Sequence, residues 1–194
     1  MTGRAFELLV VRRLKNLLGP TLSLSLTGGS YDGGIDALGT WCVQLQQSGT
    51  ANVALRRLAL AVQCKQLKRA VGPSVVREFE GAVRNWKREL EGHSVNKTGL
   101  AGVLGLLCVQ PRFTEAAIAV AGRNEVPLVL VVLERPPEQH PEHHEDREAC
   151  IVEFRLNRAA RYLLPHMTVS TKKIPCESPL GSPLFFEQIS LCYE

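Results

Sequence analysis

The apolar positions of this chain change their period along its length, and each change predicts an element. From Gly3 to Leu18, the residues Phe6, Leu9, Val10, Leu14, Leu17 and Leu18 recur at helical spacing with Arg12, Arg13 and Lys15 between them, and Gly19-Pro20 ends the run. Leu22, Leu24 and Leu26 then alternate with Ser23, Ser25 and Thr27, the period of a half-buried strand. A glycine-rich turn, Gly28 to Gly34, leads into a second expected strand over Ile35 to Leu45, with a bulge at Gly39. Residues 46 to 56 are polar and irregular and predict a surface hairpin loop carrying Arg56 and Arg57, before a third strand that ends at Lys65. Gly72-Pro73 opens a helix, because the fixed φ of proline suits a first turn, and Val75, Val76, Phe79, Val83, Trp86 and Leu90 give it one apolar face to about Glu91.

Leu100 to Val109 is almost continuously apolar, which predicts a central strand covered on both faces. A helix over Thr114 to Asn124 and a buried strand over Pro127 to Leu133 follow. Further strands are expected over Ile151 to Leu156 and Met167 to Lys173, with a short helix from Asn157 to Leu164 between them. The last twenty residues, with Pro175, Pro179 and Pro183, read as coil ending in one edge strand over Phe185 to Cys192. Alternating helices and strands of this kind predict an α/β fold, a mixed central sheet flanked by helices. Three stretches are expected: a core over residues 1–133, an acidic mobile linker over 134–149, and a C-terminal extension over 150–194 that packs on the core.

Composition narrows the function classes. At 194 residues and 45% apolar the chain has material for one core, and no run approaches bilayer-spanning length. The six cysteines, at 42, 64, 108, 150, 176 and 192, form no C-x-x-C pair and read as reduced thiols. The net charge of +4 conceals an asymmetry: Glu134 to Glu148 holds six acids and two bases, leaving 21 bases against 13 acids elsewhere, or +8. A basic body suits a polyanionic partner. His140, His143, His144 and Cys150 match no standard zinc spacing.

The candidate chemistry lies between Gly28 and Lys65. Asp36 follows the glycine turn, and Gln63-Cys64-Lys65 ends the third strand, where alternation puts Gln63 and Lys65 on one face and Cys64 on the other. If the strand opening at Asp36 pairs with the strand ending at Lys65, a carboxylate, a carboxamide and an ammonium group converge. Mg2+ takes oxygen ligands and keeps several waters, so one or two carboxylates plus phosphate oxygens hold it. A lysine beside it can orient an attacking water or neutralise charge building on phosphorus. Asp36 is therefore the candidate metal ligand and Lys65 the candidate catalytic cation, with Gln63 an uncharged oxygen donor. Asp32, inside the turn, is assigned an Asx-type hydrogen bond to the loop backbone. Lys68, Arg69 and Arg77 begin just past the triplet, where a phosphate backbone would run.

These residues resemble the PD-(D/E)xK nuclease motif in the variant with glutamine at the first position of the final triplet, and most closely the Mrr-like restriction endonucleases. The matching pieces are Gly3-Arg4-Ala5-Phe6-Glu7, Gly33-Gly34-Ile35-Asp36, Gln63-Cys64-Lys65, Val76-Arg77-Glu78-Phe79 with Gly81, and Arg112-Phe113-Thr114-Glu115-Ala116-Ala117, in order over residues 3–133. Asp36-Ala37-Leu38-Gly39-Thr40-Trp41 and Asn157-Arg158-Ala159-Ala160 are similar to the fungal required-for-respiratory-growth mitochondrial family. The resemblance implies a restriction-endonuclease-like core with a PD-(D/E)xK domain over residues 1–133. It implies Mg2+ or Mn2+ held by Asp36, Glu7, Gln63 and the Cys64 carbonyl, and catalytic roles for Asp36, Gln63, Lys65 and Glu7. It implies DNA, branched or damaged forms included, as partner, with a homodimer as one arrangement, no membrane contact and a mitochondrial location. Any leader is expected to be absent from this chain, because the basic first segment carries the first matching piece.

Two rival readings differ in class. One keeps the nuclease fold but cuts weakly or not at all, and serves as a nucleic-acid-binding module supporting mitochondrial genome expression; Gln63 in place of an acid motivates it. The other is a nucleotide-binding Rossmann-like protein, disfavoured because no G-x-G-x-x-G opens a helix after the first strand.

Overall fold

A computed structural model describes residues 3–28, 33–46, 53–92, 99–134, 149–165, 167–176 and 184–193. In chain order the elements are α1 (Gly3–Leu18), β1 (Leu22–Leu26), β2 (Ala37–Gln46), β3 (Val53–Gln66), α2 (Pro73–Gly92), β4 (Leu100–Gln110), α3 (Glu115–Gly122), β5 (Leu128–Glu134), β6 (Cys150–Leu156), α4 (Arg158–Leu163), β7 (Met167–Cys176) and β8 (Leu184–Tyr193). The first six strands form one sheet in sequence order, and β7 and β8 form a separate two-stranded ribbon. β1–β2–β3 is an antiparallel meander, β3–β4 and β4–β5 pair in parallel through the crossover helices α2 and α3, and β6 returns antiparallel to β5. This is a mixed α/β sheet flanked by helices. No helix among the described residues is long and apolar enough to cross a membrane.

Strand alternation splits the core into two layers. On one face, Leu58, Leu60 and Val62 of β3 and Leu104, Leu106 and Cys108 of β4 pack under Phe6, Val10 and Leu14 of α1 and Ala160 of α4. On the other, Ala59 and Ala61 of β3 and Leu107 and Val109 of β4 pack under Val76, Phe79 and Val83 of α2 and Ala117 and Ala121 of α3. A strand buried on both faces needs apolar residues at every position, which is why β4 reads as a continuous run. α3 starts where Thr114 caps it, its hydroxyl accepting from Ala117 N–H at 3.2 Å. The Trp41 indole N–H donates to Leu18 carbonyl at 3.2 Å, fastening the end of α1 to β2.

Two sequence expectations are corrected. Gly39 is regularly paired with Leu24 on one side and Leu60 on the other, with no bulge. It is glycine for closeness: a Cβ there would stand 1.8 Å from the Ser23 carbonyl oxygen. The irregularity of this region falls at Arg57/Leu58, between β3 and β4. Arg56 and Arg57 are not in a loop but in β3, opposite Val43 and Cys42, because backbone pairing extends the hairpin through polar residues that show no alternation. The expected C-terminal strand is present as β8, which pairs with β7 along its length, and the ribbon contacts β6, α1 and β2. The stretch after residue 149 supplies β6, which pairs antiparallel with β5. The expected linker falls mostly on residues 135–148, which lie outside the described residues, as do Asp32 and the linker histidines.

Candidate active site

The backbone of β2 parts from its neighbours at Asp36, and the side chain takes over. Asp36 N–H donates to the Val62 carbonyl at 2.8 Å and its carbonyl accepts from Thr27 N–H at 2.9 Å. The next donor on β3, Cys64 N–H, is met by Asp36 Oδ2 at 2.6 Å. A carboxylate thus stands where a strand carbonyl would continue the ladder, and a charge-assisted bond of this length fixes it. Because Ala37 pairs with Val62, Asp36 is set opposite Gln63, at the carboxyl end of the parallel strands. Asp36 thus meets the backbone of the Gln63-Cys64-Lys65 triplet at Cys64 N–H.

Gln63 is a buried polar residue, 1% exposed. Its Nε2 donates to the Gly34 carbonyl at 2.5 Å, and its Oε1 is buried with no hydrogen-bond partner among the described residues. An acceptor left so is costly, about 1–3 kcal/mol, unless something electropositive meets it. Lys65 lies two residues on along the same face and is half-buried. Cys64 turns to the opposite face, beside α1, where its strand neighbour is Cys108. Burial first, then Cys108, Asp36 and Glu7, push the Cys64 thiol well above its ordinary value, against a smaller opposing pull from Lys65. Burial and Asp36 push Cys108 up as well.

Glu7 reaches this edge from the first turns of α1. Arg4 Nη1 donates to Glu7 Oε2 at 3.1 Å and to the Thr27 carbonyl at 3.3 Å, while Thr27 Oγ1 donates to the Ile35 carbonyl at 2.5 Å. Arg4 and Thr27 so tie the α1 carboxylate to the turn that carries Asp36; neither stood out in the sequence, where a lone Arg and Thr give no signal beyond the i, i+3 spacing of Arg4 and Glu7. At the lip, Gln66 Nε2 donates to Gln110 Oε1 at 2.9 Å and Leu67 N–H to the Gln110 carbonyl at 2.9 Å, joining the ends of β3 and β4. Lys68 and Arg69 are exposed on the bend that follows. Arg77 is exposed too, but it lines a cleft between α2 and α3 with Glu80, Arg84 and Arg123. Glu78 stays exposed on α2 and forms no ion pair with Lys65 or Arg77.

The donors at this edge can be set against what a metal ion would need. No three His, Cys, Asp or Glu side chains among the described residues are grouped to hold an ion by themselves. The set is instead one carboxylate held on Cys64 N–H, the buried amide oxygen of Gln63, and Glu7 on α1. Hard oxygen donors in small number fit a cation that keeps most of its waters, as Mg2+ does, and do not fit zinc.

A family model described as Mrr_cat, restriction endonuclease, matches residues 1–135. The chain belongs to the Mrr-like restriction endonuclease family. That match spans α1 through β5 and every site residue above; β6, α4 and the β7–β8 ribbon lie beyond it. Among curated proteins, an uncharacterized mitochondrial protein of Schizosaccharomyces pombe is 28% identical over 128 residues, 66% of this chain and 42% of that protein. Among solved structures, the MspJI restriction endonuclease in complex with a 27-mer oligonucleotide is 21% identical, with a TM-score of 0.42 over 66% of this chain and 25% of that one. The DNA modification-dependent restriction endonuclease AspBHI is likewise 21% identical, with a TM-score of 0.43 over 65% of this chain and 27% of that one. This Mrr-like chain spans under half the length of the relatives it matches.

Proposed function

We propose that this chain is a Mg2+- or Mn2+-dependent endonuclease that hydrolyses DNA phosphodiester bonds. The observation that carries the reading is the bond from Cys64 N–H to Asp36, which holds a carboxylate on the Gln63-Cys64-Lys65 triplet, where the buried Gln63 amide oxygen has no donor among the described residues. Asp36, Glu7, Gln63 and the Cys64 carbonyl would hold the cation, which supplies Lewis acidity at the scissile phosphate. Asp36 is kept in place by its backbone donor. Lys65, on the same face as Gln63, orients the attacking water and offsets the charge that gathers on the phosphoryl oxygens. Lys68 and Arg69 lie where the strand leaves the site, and with Arg77 they would hold the DNA backbone, which positions a duplex without reading its sequence. Family membership supports DNA as the substrate. The name of the fission-yeast relative supports a mitochondrial location, and a role in mitochondrial DNA maintenance, branched or damaged DNA and a homodimer are part of the same proposal.

One observation favours a second reading, a nuclease-fold module that binds nucleic acid and cuts weakly or not at all in support of mitochondrial genome expression: the described residues hold no group of three acids, histidines or cysteines for a metal. Cleavage of supercoiled and branched DNA with Mg2+ separates the two. The endonuclease reading expects Asp36→Ala and Lys65→Ala each to lower the rate by at least about 100-fold with DNA binding retained. Equal rates in all three proteins would refute it.

A further inference from the structure

The 2.5 Å bond between Gln63 Nε2 and the Gly34 carbonyl decides which end of the amide faces the site. A carbonyl oxygen only accepts, so it must meet the NH2 end, and Oε1 is turned away from Gly34 into a buried position with no donor among the described residues. The turn brings that carbonyl in through Gly33 and Gly34, at φ of +63° and +83°, a region that L side chains rarely adopt. A Cβ on Gly34 would stand 2.9 Å from Gln63 Nε2, so the turn and the amide are fitted to each other.

We propose that Gly34 is a positioning residue whose carbonyl makes position 63 specific for an amide: it locks Gln63 with its oxygen toward the cation seat at Asp36 and excludes a carboxylate there. The inference rests on the metal-dependent reading of the site. A glutamate at 63 would set a carboxylate oxygen against the Gly34 carbonyl oxygen in a buried position, two acceptors with no donor between them. Of the surrounding charges, Asp36 adds to this cost, Glu7 and Cys64 lie toward α1, and Lys65 offsets only the added charge and not the bond lost at Gly34. Gln63 is accordingly not a weakened acid. It is the residue that can satisfy Gly34 and present an oxygen at once.

The test uses the whole chain labelled with 15N and 13C at glutamine, its Gln63 signals recognised by their loss in Gln63→Met or by correlation through the backbone. In EDTA the Gln63 amide protons are expected to exchange at least about 10-fold more slowly than those of exposed glutamines. On adding Mg2+, the side-chain carbonyl carbon is expected to shift while the amide protons stay in place. Exchange as fast as that of exposed glutamines, or amide protons that move while the carbonyl carbon does not, overturns the proposal. Protected amide protons with no response to Mg2+ would uphold the Gly34 lock and sink the metal reading, so the two failures are distinct. Independently, metal-free Gln63→Glu at pH 8 is expected to unfold about 5 °C below Gln63→Met, since opposed acceptors cost more than a lost bond. A Gln63→Glu protein as stable as wild type also overturns the proposal.

Discussion

Replacing Asn157 by alanine removes five hydrogen bonds from the edge of the sheet opposite the site. The Asn157 side chain caps α4, its Oδ1 accepting from Ala160 N–H at 2.8 Å and from Leu128 N–H at 3.0 Å. Its Nδ2 donates to the carbonyls of Ala121 and Asn124, both at 3.2 Å, and of Val126 at 2.8 Å. One carboxamide therefore joins the end of α3, the loop into β5, the first residue of β5 and the start of α4. Leu128 and Ala160 are fully buried, so alanine leaves two N–H groups with neither partner nor water. At about 1–2 kcal/mol for each orphaned donor, with a smaller loss at the three carbonyls, the cost is about 3–5 kcal/mol. That is a large part of the 5–15 kcal/mol typical of a domain, and corresponds to a fall in Tm of about 10 °C. Urea or thermal unfolding followed by circular dichroism reads it directly. Asn157→Asp keeps both accepted bonds but turns an oxygen toward three carbonyls, and should be at least as damaging. An Asn157→Ala protein within about 1 kcal/mol of wild type would refute the reasoning, because it would mean that the five bonds carry almost nothing.

Gly39→Ala should detach β1 from β2, since its Cβ meets backbone and not a movable side chain; the loss is expected to exceed about 3 kcal/mol in denaturant unfolding, and faster amide exchange confined to β1 would mark the cause. Cys64 and Cys108 keep their protons in the folded state at pH values where unfolded thiols lose them, so the native protein binds more protons and stability should fall as pH rises above about 8.5, by up to about 1.4 kcal/mol per pH unit for each thiol. Urea titrations from pH 7 to 10 measure the slope, and Cys108→Ala should make it shallower; an unchanged slope would count against the assignment. Neutralising Lys68 and Arg69 together should weaken DNA binding alike on all sequences and reduce the slope of log K against log salt by about 2, whereas an unchanged slope would remove them from the phosphate path.

The Asn157 cluster shows how far local pattern reaches. Asn before an apolar helix predicts a cap, and the sequence places α4 within one residue at each end. That the same amide closes the loop after α3, some thirty residues earlier, depends on which chain ends meet, and no periodicity records that. The same division holds at β2. Ile35 to Leu45 is apolar enough to announce a strand, but Gly39 looks like a place to bulge when it is a place where two backbones come close, and only the neighbouring strand reveals the difference. Arg56 and Arg57 were hidden for the converse reason: polar residues join a ladder through their backbones, which all residues share.

Residue types and spacing were enough to single out Asp36, Gln63, Cys64 and Lys65 as candidates, because a strand's two-residue period and the short list of groups that handle phosphate and hard cations are properties of the chain itself. What the tertiary structure decided is how those groups are held: a carboxylate standing in for a strand carbonyl against Cys64 N–H, Arg4 and Thr27 carrying α1 to the turn, and Gly34 choosing the face that Gln63 presents. Each of these is a bond made by, or to, a backbone group that every residue type possesses. Such bonds are set by where the chain folds back on itself, so composition and spacing carry no trace of them.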